Sequence, residues 1–429
     1  MNIRAGDRVK LKTEKEEIEG VLMPSSEADV VVVKLDNGYN IGINKNKIKN
    51  MKMVEKHKEK EIKKKTIKEK TGLPTITILH MGGTIASKVD YATGAVKPKF
   101  TPSELLELFP ELGEIANIKS RLVGNLLSGN MRFSHYNLMA KEIEKAVKEG
   151  VDGIIVTHGT DTLHYTSAAL AFALEDLGVP VILVGSQRSS DRGSSDASMN
   201  LICAAQFVVK SNFAGVAMCM HKSMDDKFCG ILPATKTRKF HSSRRDTFKV
   251  INAKPWAEVS KKGEIKWLDK SYDKKDKKKK LSLKLFKDLK IGILKAHPNM
   301  FVEEIKAYSS FDGIILEGTG LGHFPVLEYD KLTAEHTKIL KEIEKLAKKM
   351  PMVMTSQTIY GRVDMNVYAY GRELLKAGVL GNYADMTAET AFVKLAWLLS
   401  NKMDVKENIS KSLRREINER IESKEDFLE

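Results

Sequence analysis

Residues 151–167 read VDGIIVTHGTDTLHYTS, and their pattern decides the fold. Val151 to Val156 is an apolar, β-branched run of strand length. It gives way to Thr157-His158-Gly159-Thr160-Asp161-Thr162, then to a helical stretch, TSAALAFALEDLG, and then to a second apolar run from Val179 to Gly185. Strand, loop, helix, strand predicts parallel pairing, because parallel neighbours need a long crossover connection. A strand with no polar alternation predicts a sheet covered on both faces.

Upstream, Thr75-Ile76-Thr77-Ile78-Leu79 is another β-branched strand, ending in His80-Met81-Gly82-Gly83-Thr84. In open α/β sheets, ligands bind beyond the carboxyl ends of the strands. The GGT and HGTDT loops are both at that position, so they are expected to meet. A threonine hydroxyl is a weak nucleophile at neutral pH and needs a base or an electrostatic activator. Thr84 follows two glycines, which permit a tight turn and a close ligand approach. Thr160 and Asp161 add a hydroxyl and a carboxylate, and a lysine nearby could complete a proton relay. Each loop read singly is also compatible with a turn that merely caps a helix. Two of them at strand ends, 76 positions apart, point to a site.

Working outward, residues 1–54 contain short β-branched runs broken by Gly, Pro and Asn-Gly, which predicts a small β-barrel module. Asn37-Gly38 predicts a hairpin turn. Residues 55–73 form a basic linker: Lys56 to Lys70 holds eight lysines against three acidic residues. Residues 74–287 are expected to form the larger α/β domain, with a solvated Lys-rich insertion near 274–280, and 288–429 a smaller one. These two runs carry most of the net charge of +15, a distribution that suits solvated segments, heat adaptation or contact with nucleic acid. Cys203, Cys219 and Cys229 are odd in number and contain no CxxC pair, which argues against a disulfide framework or a zinc ribbon. The chain has no apolar run of membrane length and no secretory start, so the expected location is the cytoplasm. The ten histidines form no HExxH motif and there is no GxxxxGK[ST] loop, so no bound metal or ATP is expected here. Gly318-Thr319-Gly320-Leu321-Gly322 lacks full dinucleotide-loop spacing and reads as a backbone turn.

LHMGGTIAS and IIVTHGTDTLHYTS resemble the two signature segments of the bacterial-type asparaginase/glutaminase family. The resemblance covers residues 74–400 and includes VGSQRSSDRGSSDASMNL and DMTAETAFVKLAWLL. It implies a two-domain asparaginase-like fold with a homodimeric core. It also implies that Thr84 attacks a side-chain amide, releasing ammonia and leaving an acyl-enzyme, with Thr160, Asp161 and a lysine activating hydroxyl and water. The family lysine lies nine positions before a Phe. Lys239 has that register to Phe248, and Lys236 is its rival. Tyr91 matches a tyrosine that closes over the first threonine, and Ser128 matches a serine that holds the substrate carboxylate. Gly83 and Gly159 line the same pocket by this resemblance, and Gly129 stands where many relatives carry a side chain.

The 74 residues ahead of Thr75, the SSRRD segment at 242–246 and the Lys-rich insertion resemble the D subunits of archaeal glutamyl-tRNA(Gln) amidotransferases. That resemblance implies glutamine or asparagine as amide donor and an E subunit as partner in a D2E2 heterotetramer. It also implies that the partner uses ATP and Mg to activate Glu-tRNA(Gln). A free-standing asparaginase with an accessory module is the alternative.

Overall fold

The computed structural model describes residues 3–25, 27–36, 40–56, 69–83, 85, 87–89, 96–98, 101–188 and 194–420. The N-terminal module is an antiparallel sheet of β1 (Arg8–Thr13), β2 (Glu17–Met23), β3 (Val30–Lys34), β4 (Asn40–Asn44) and β5 (Ile48–Glu55). Its order is β4-β3-β2-β1-β5. Period-two alternation turns Val9, Leu11, Ile18, Val31, Val33 and Ile43 into a common core while the lysines between them face water. Register shifts at both ends of β1 bend the sheet. The Asn37-Gly38 turn lies outside the described residues, and the strands on either side of it pair antiparallel. Most of the basic linker also lies outside them.

The larger domain is built on a sheet whose parallel part runs, in spatial order, β7 (Asn117–Leu122), β6 (Thr75–His80), β8 (Gly153–Thr157), β9 (Pro180–Val184) and β10 (Phe213–His221). Every residue of β8 and β9 is buried. Alternate residues explain why. Ile154, Val156, Val181 and Leu183 face α1 (Phe133–Lys148) and α2 (Leu163–Ala173), whereas Ile155, Ile182 and Val184 face α3 (Ala197–Lys210). Both faces are covered, so no polar alternation is needed.

Beyond β10 the sheet differs from a purely parallel one. β11 (Cys229–Pro233) returns antiparallel. A separate two-stranded hairpin follows, made of β12 (Thr237–Lys239) and β13 (Phe248–Val250). Then β14 (Ala257–Val259) and β15 (Ile265–Trp267) complete the antiparallel edge. Short connections allow this edge, because antiparallel neighbours need no crossover helix.

The Lys-rich 274–280 run is docked and not simply solvated. Lys274 and Asp273 pair with Phe213 and Ala214. Lys275 Nζ donates to the Val208 carbonyl at 2.6 Å, in the last turn of α3, where the helix dipole favours a cation. Lys277 Nζ lies 2.7 Å from Asp152 Oδ1. Burial pulls the Lys275 ammonium below its ordinary pKa.

The smaller domain has a parallel sheet of β16 (Ile291–Lys295), β17 (Gly313–Gly318) and β18 (Met352–Ser356). Helices α4 (Glu335–Ala347) and α5 (Ala369–Ala377) contribute to the core on one face. Helix α6 (Ala388–Ser400) covers the other and shares a core with α1 and α2 of the larger domain. Its apolar residues run around the whole helix, as a helix buried on both sides requires.

Candidate active site

Strands β6 and β8 are parallel neighbours with His80 opposite Thr157, so the chain leaves both at the same sheet edge. The Met81 N–H donates to the Thr157 carbonyl at 3.0 Å, holding the two exits together. Gly83 has φ +85°, and a Cβ there would fall 2.8 Å from the Gly159 nitrogen. A Cβ on Gly159 would in turn fall 2.8 Å from Ser128 Oγ. Three loops therefore stack closely, the Gly83 backbone on that of Gly159 and Gly159 on the Ser128 side chain, with glycine where a side chain would separate them.

Ser128 is buried. Its hydroxyl accepts from the Asp161 N–H at 3.2 Å, and its carbonyl accepts from the Thr162 hydroxyl at 2.6 Å. Accepting from Asp161 leaves the Ser128 O–H able to donate to an anionic oxygen.

Lys239, at the end of β12, reaches across from the hairpin. Its Nζ lies 3.0 Å from Thr160 Oγ1 and 2.9 Å from Asp161 Oδ1. The lysine side chain is 11% exposed and that of Asp161 76%, so an enclosed amine bridges a hydroxyl to a carboxylate open to solvent. Lys236 goes elsewhere: its Nζ lies 2.7 Å from Asp385 Oδ2, with side chains 2% and 0% exposed. The two lysines part because Lys236 lies in the turn that follows Pro233, before β12 begins, whereas Lys239 ends the strand. Thr84 and Tyr91 lie outside the described residues.

Side chains that the sequence pattern did not single out support these loops. His158 is buried, with Nδ1 2.6 Å from the Gly159 carbonyl and Nε2 3.0 Å from Thr166 Oγ1. Burial pulls it down to about 4, so it stays neutral at pH 7. His80 bridges Thr157 and Ser120 and is likewise pulled down, to about 3. Beyond β9, Asp196 accepts from the Ser186 hydroxyl and the Gln187 and Arg188 N–H groups. That turn presses on the site, since a Cβ on Gly185 would be 2.8 Å from Thr160 Cγ2. From α6, Glu389 lies 3.1 Å from Arg238 Nε and 3.8 Å from His164 Nε2, tying the second domain to the Lys239 hairpin and to α2. Burial alone would raise the Glu389 carboxyl, but the His164 and Arg238 interactions hold it below the ordinary range.

The SSRRD arginines are engaged within the chain. Arg244 pairs with Asp246 at 2.8 Å and Arg245 with Asp226 at 2.7 Å. Residues 319–323, after β17, form a turn closed by hydrogen bonds between Thr319 and His323. Among the described residues no group of three or more His, Cys, Asp or Glu is arranged to hold a metal ion. No helix among them is long and apolar enough to cross a membrane.

Three family models match the chain: "GatD N-terminal domain" over residues 3–54, "Asparaginase, N-terminal" over 75–272, and "Glutaminase/Asparaginase C-terminal domain" over 290–410. The D subunit of glutamyl-tRNA(Gln) amidotransferase from Pyrococcus furiosus is 45% identical over 418 residues, covering 94% of this chain and 92% of that protein. The protein of the same name from Methanococcus maripaludis strain C7 is 43% identical over 425 residues, covering 97% and 98%. Among solved structures, the thermostable L-asparaginase from Thermococcus kodakarensis superposes with a TM-score of 0.68 at 30% identity, over 80% of this chain and 99% of that one. A probable cytoplasmic L-asparaginase from Campylobacter jejuni gives 0.64 at 26% identity, over 79% and 98%.

Proposed function

This chain belongs to the D-subunit family of glutamyl-tRNA(Gln) amidotransferases, and from that premise we propose that it is the amidase component of a tRNA-dependent amidotransferase. Its substrate is the side-chain amide of glutamine or asparagine, and its product for the complex is ammonia. The observation that carries the reading is the Lys239 amine, lying 3.0 Å from Thr160 and 2.9 Å from Asp161.

In this reading Thr84 Oγ attacks the amide carbon. The C–N bond breaks, ammonia leaves, and an ester joins Thr84 to the acyl group until water hydrolyses it. Lys239 relays protons between the Thr160 hydroxyl and the exposed Asp161 carboxylate, activating the attacking hydroxyl and then the water. Asp161 pairs with the substrate's ammonium and Ser128 donates to its carboxylate. Gly83 and Gly159 let the loops that line the donor's pocket pack against one another, and Tyr91 closes over it.

The partner is an E subunit. It binds ATP and Mg, activates the γ-carboxylate of Glu-tRNA(Gln), and receives the ammonia in a D2E2 assembly in the cytoplasm. The lysines of the two basic runs add sequence-independent attraction to tRNA phosphates. A free-standing asparaginase is not favoured, because the 3–54 match and the near-full-length relatives point to the amidotransferase component.

The test is ammonia release from glutamine and asparagine, alone and with E subunit, Glu-tRNA(Gln), ATP and Mg. Thr84→Ala is expected to abolish coupled Gln-tRNA formation, and Lys239→Met to lower it by about 10²–10⁴-fold. Wild-type turnover in either variant would refute the site. Ammonia release that never feeds tRNA amidation would refute the coupling.

A further inference from the structure

Lys236, the lysine that does not reach the site, has a separate role. It precedes β12, and its carbonyl accepts from the Ile251 N–H just beyond β13, so it closes the base of the hairpin that carries Lys239. That hairpin pairs only with itself and is not hydrogen-bonded into the main sheet. An isolated two-stranded hairpin is marginal in water, so side chains must fix where it lies.

The buried core ring of Phe248 supplies one anchor, and a network at the base supplies another. Lys236 Nζ meets Asp385 Oδ2 at 2.7 Å, and both side chains are excluded from water. Asn418 caps that carboxylate from beyond, its N–H 3.1 Å from Oδ1 and its side-chain amide 2.8 Å from Oδ2. The same Asn418 amide donates to the carbonyl of Asn252, two residues past β13. Asn252 sits at φ +52°, a backbone state that asparagine tolerates, and its side-chain amide donates to the carbonyls of Gly361 and Asp385.

Residues 411–419 run on as a strap over this base. The Glu416 carboxylate is 2.6 Å from Lys394 Nζ, with both side chains fully buried. The Arg414 carbonyl accepts from Thr235 Oγ1, one residue before Lys236, at 3.1 Å. Arg362 holds the far end through the Asn418 carbonyl at 2.9 Å. The match to the shared C-terminal asparaginase domain stops at residue 410, so the strap lies outside it.

We propose that Lys236, Asp385 and Asn418 form a positioning tie through which the 411–419 strap holds the Lys239 hairpin in register with Thr160 and Asp161. Lys239 depends on two simultaneous approaches near 3 Å, and a strand shift of about 1 Å forfeits both, on the order of 10²-fold in rate. The tie itself touches neither Ser128 nor the glycine loops, and the Asp161 backbone is held by Ser128 and not by Lys239, so donor binding is expected to be largely kept when the tie is loosened. This inference rests on the amidase reading above.

The experiment compares wild type, Asn418→Ala and Asp385→Asn for ammonia release from glutamine and asparagine, with thermal unfolding confirming that each is folded at the assay temperature. Asn418→Ala is the milder change, because it leaves the Lys236–Asp385 pair intact. The expected result is a fall in kcat of about tenfold or more, with KM within about twofold, since only a transition-state placement is disturbed. A wild-type kcat in folded Asn418→Ala overturns the tie. So does a loss that only tracks the unfolded fraction, or a rise in KM at constant kcat. Lys239→Met runs alongside: if it releases ammonia like wild type, the amidase reading fails, and the tie fails with it for a different reason. If Lys239→Met is inactive and Asn418→Ala is not, only the tie fails.

Discussion

A methyl group at Gly159 would lie 2.8 Å from the Ser128 hydroxyl oxygen and 3.0 Å from its Cβ. Neither neighbour can retreat easily, because Ser128 is buried and held by Asp161 and Thr162. Gly159→Ala is therefore expected to cost about 1–3 kcal/mol of stability by overpacking. It should also raise KM for the amide donor by about tenfold, and steady-state kinetics beside a denaturant melt would separate the two effects. His80 and His158 give a pH prediction. Both are pulled by burial below 6.5, to about 3 and about 4, so the unfolded chain binds protons that the folded one refuses. Stability should thus be intact above about pH 6.5 and be lost as pH falls towards 4, by up to about 1.4 kcal/mol per pH unit for each histidine. Urea midpoints at pH 7 and pH 5 measure this, and His80→Gln should flatten the difference; equal midpoints for wild type would sink the account. At this scale the sequence placed Gly83, Gly159, Thr160 and Asp161 just beyond neighbouring strand ends, where they lie. It separated Lys239 from Lys236 only through a register to Phe248. The physical separation is that Lys236 lies in the turn before β12 and Lys239 at the strand's end, which needs the strand's bounds to be known.

At the level of elements, α6 carries an ion pair that its own pattern hides. Lys394 interrupts the apolar stretch Ala391–Leu399, and burial pulls its ammonium below the ordinary pKa while Glu416, 2.6 Å away, opposes that shift. Lys394→Met should leave Glu416 as an uncompensated buried charge and cost about 3–5 kcal/mol. Adding Glu416→Gln should recover part of this, because an amide oxygen still accepts from the Leu413 and Arg414 N–H groups. Guanidinium unfolding of the single and double variants checks the order, and a double variant less stable than the single would contradict it. The buried strands β8 and β9 were legible in the sequence as short apolar runs, and α6 through the apolar stretch from Ala391 to Leu399 that only Lys394 interrupts. The antiparallel edge was not, since three-residue strands such as Ala257–Val259 are too short to show a period. Nor was the docking of the 274–280 lysines, because their partners are backbone carbonyls and a carboxylate more than sixty positions away.

Across the whole molecule, the N-terminal module keeps a core of its own, while the two asparaginase-like domains share one through α6. The active-site loops belong to that shared body, and so does the strap. The bonds that complete it join residues far apart along the chain: 149 positions for Lys236 to Asp385, 166 for Asn252 to Asn418, 179 for Thr235 to Arg414 and 243 for Ala171 to Arg414. Closing such loops costs chain entropy before any contact offsets it, so these pairings are expected among the last to form. Local helices and the β6–β8 exits can assemble while the lysine hairpin still lacks its base. Native-like secondary structure and a Lys239 amine seated on Thr160 and Asp161 are thus separate milestones in the maturation of this chain, and the second waits on the first.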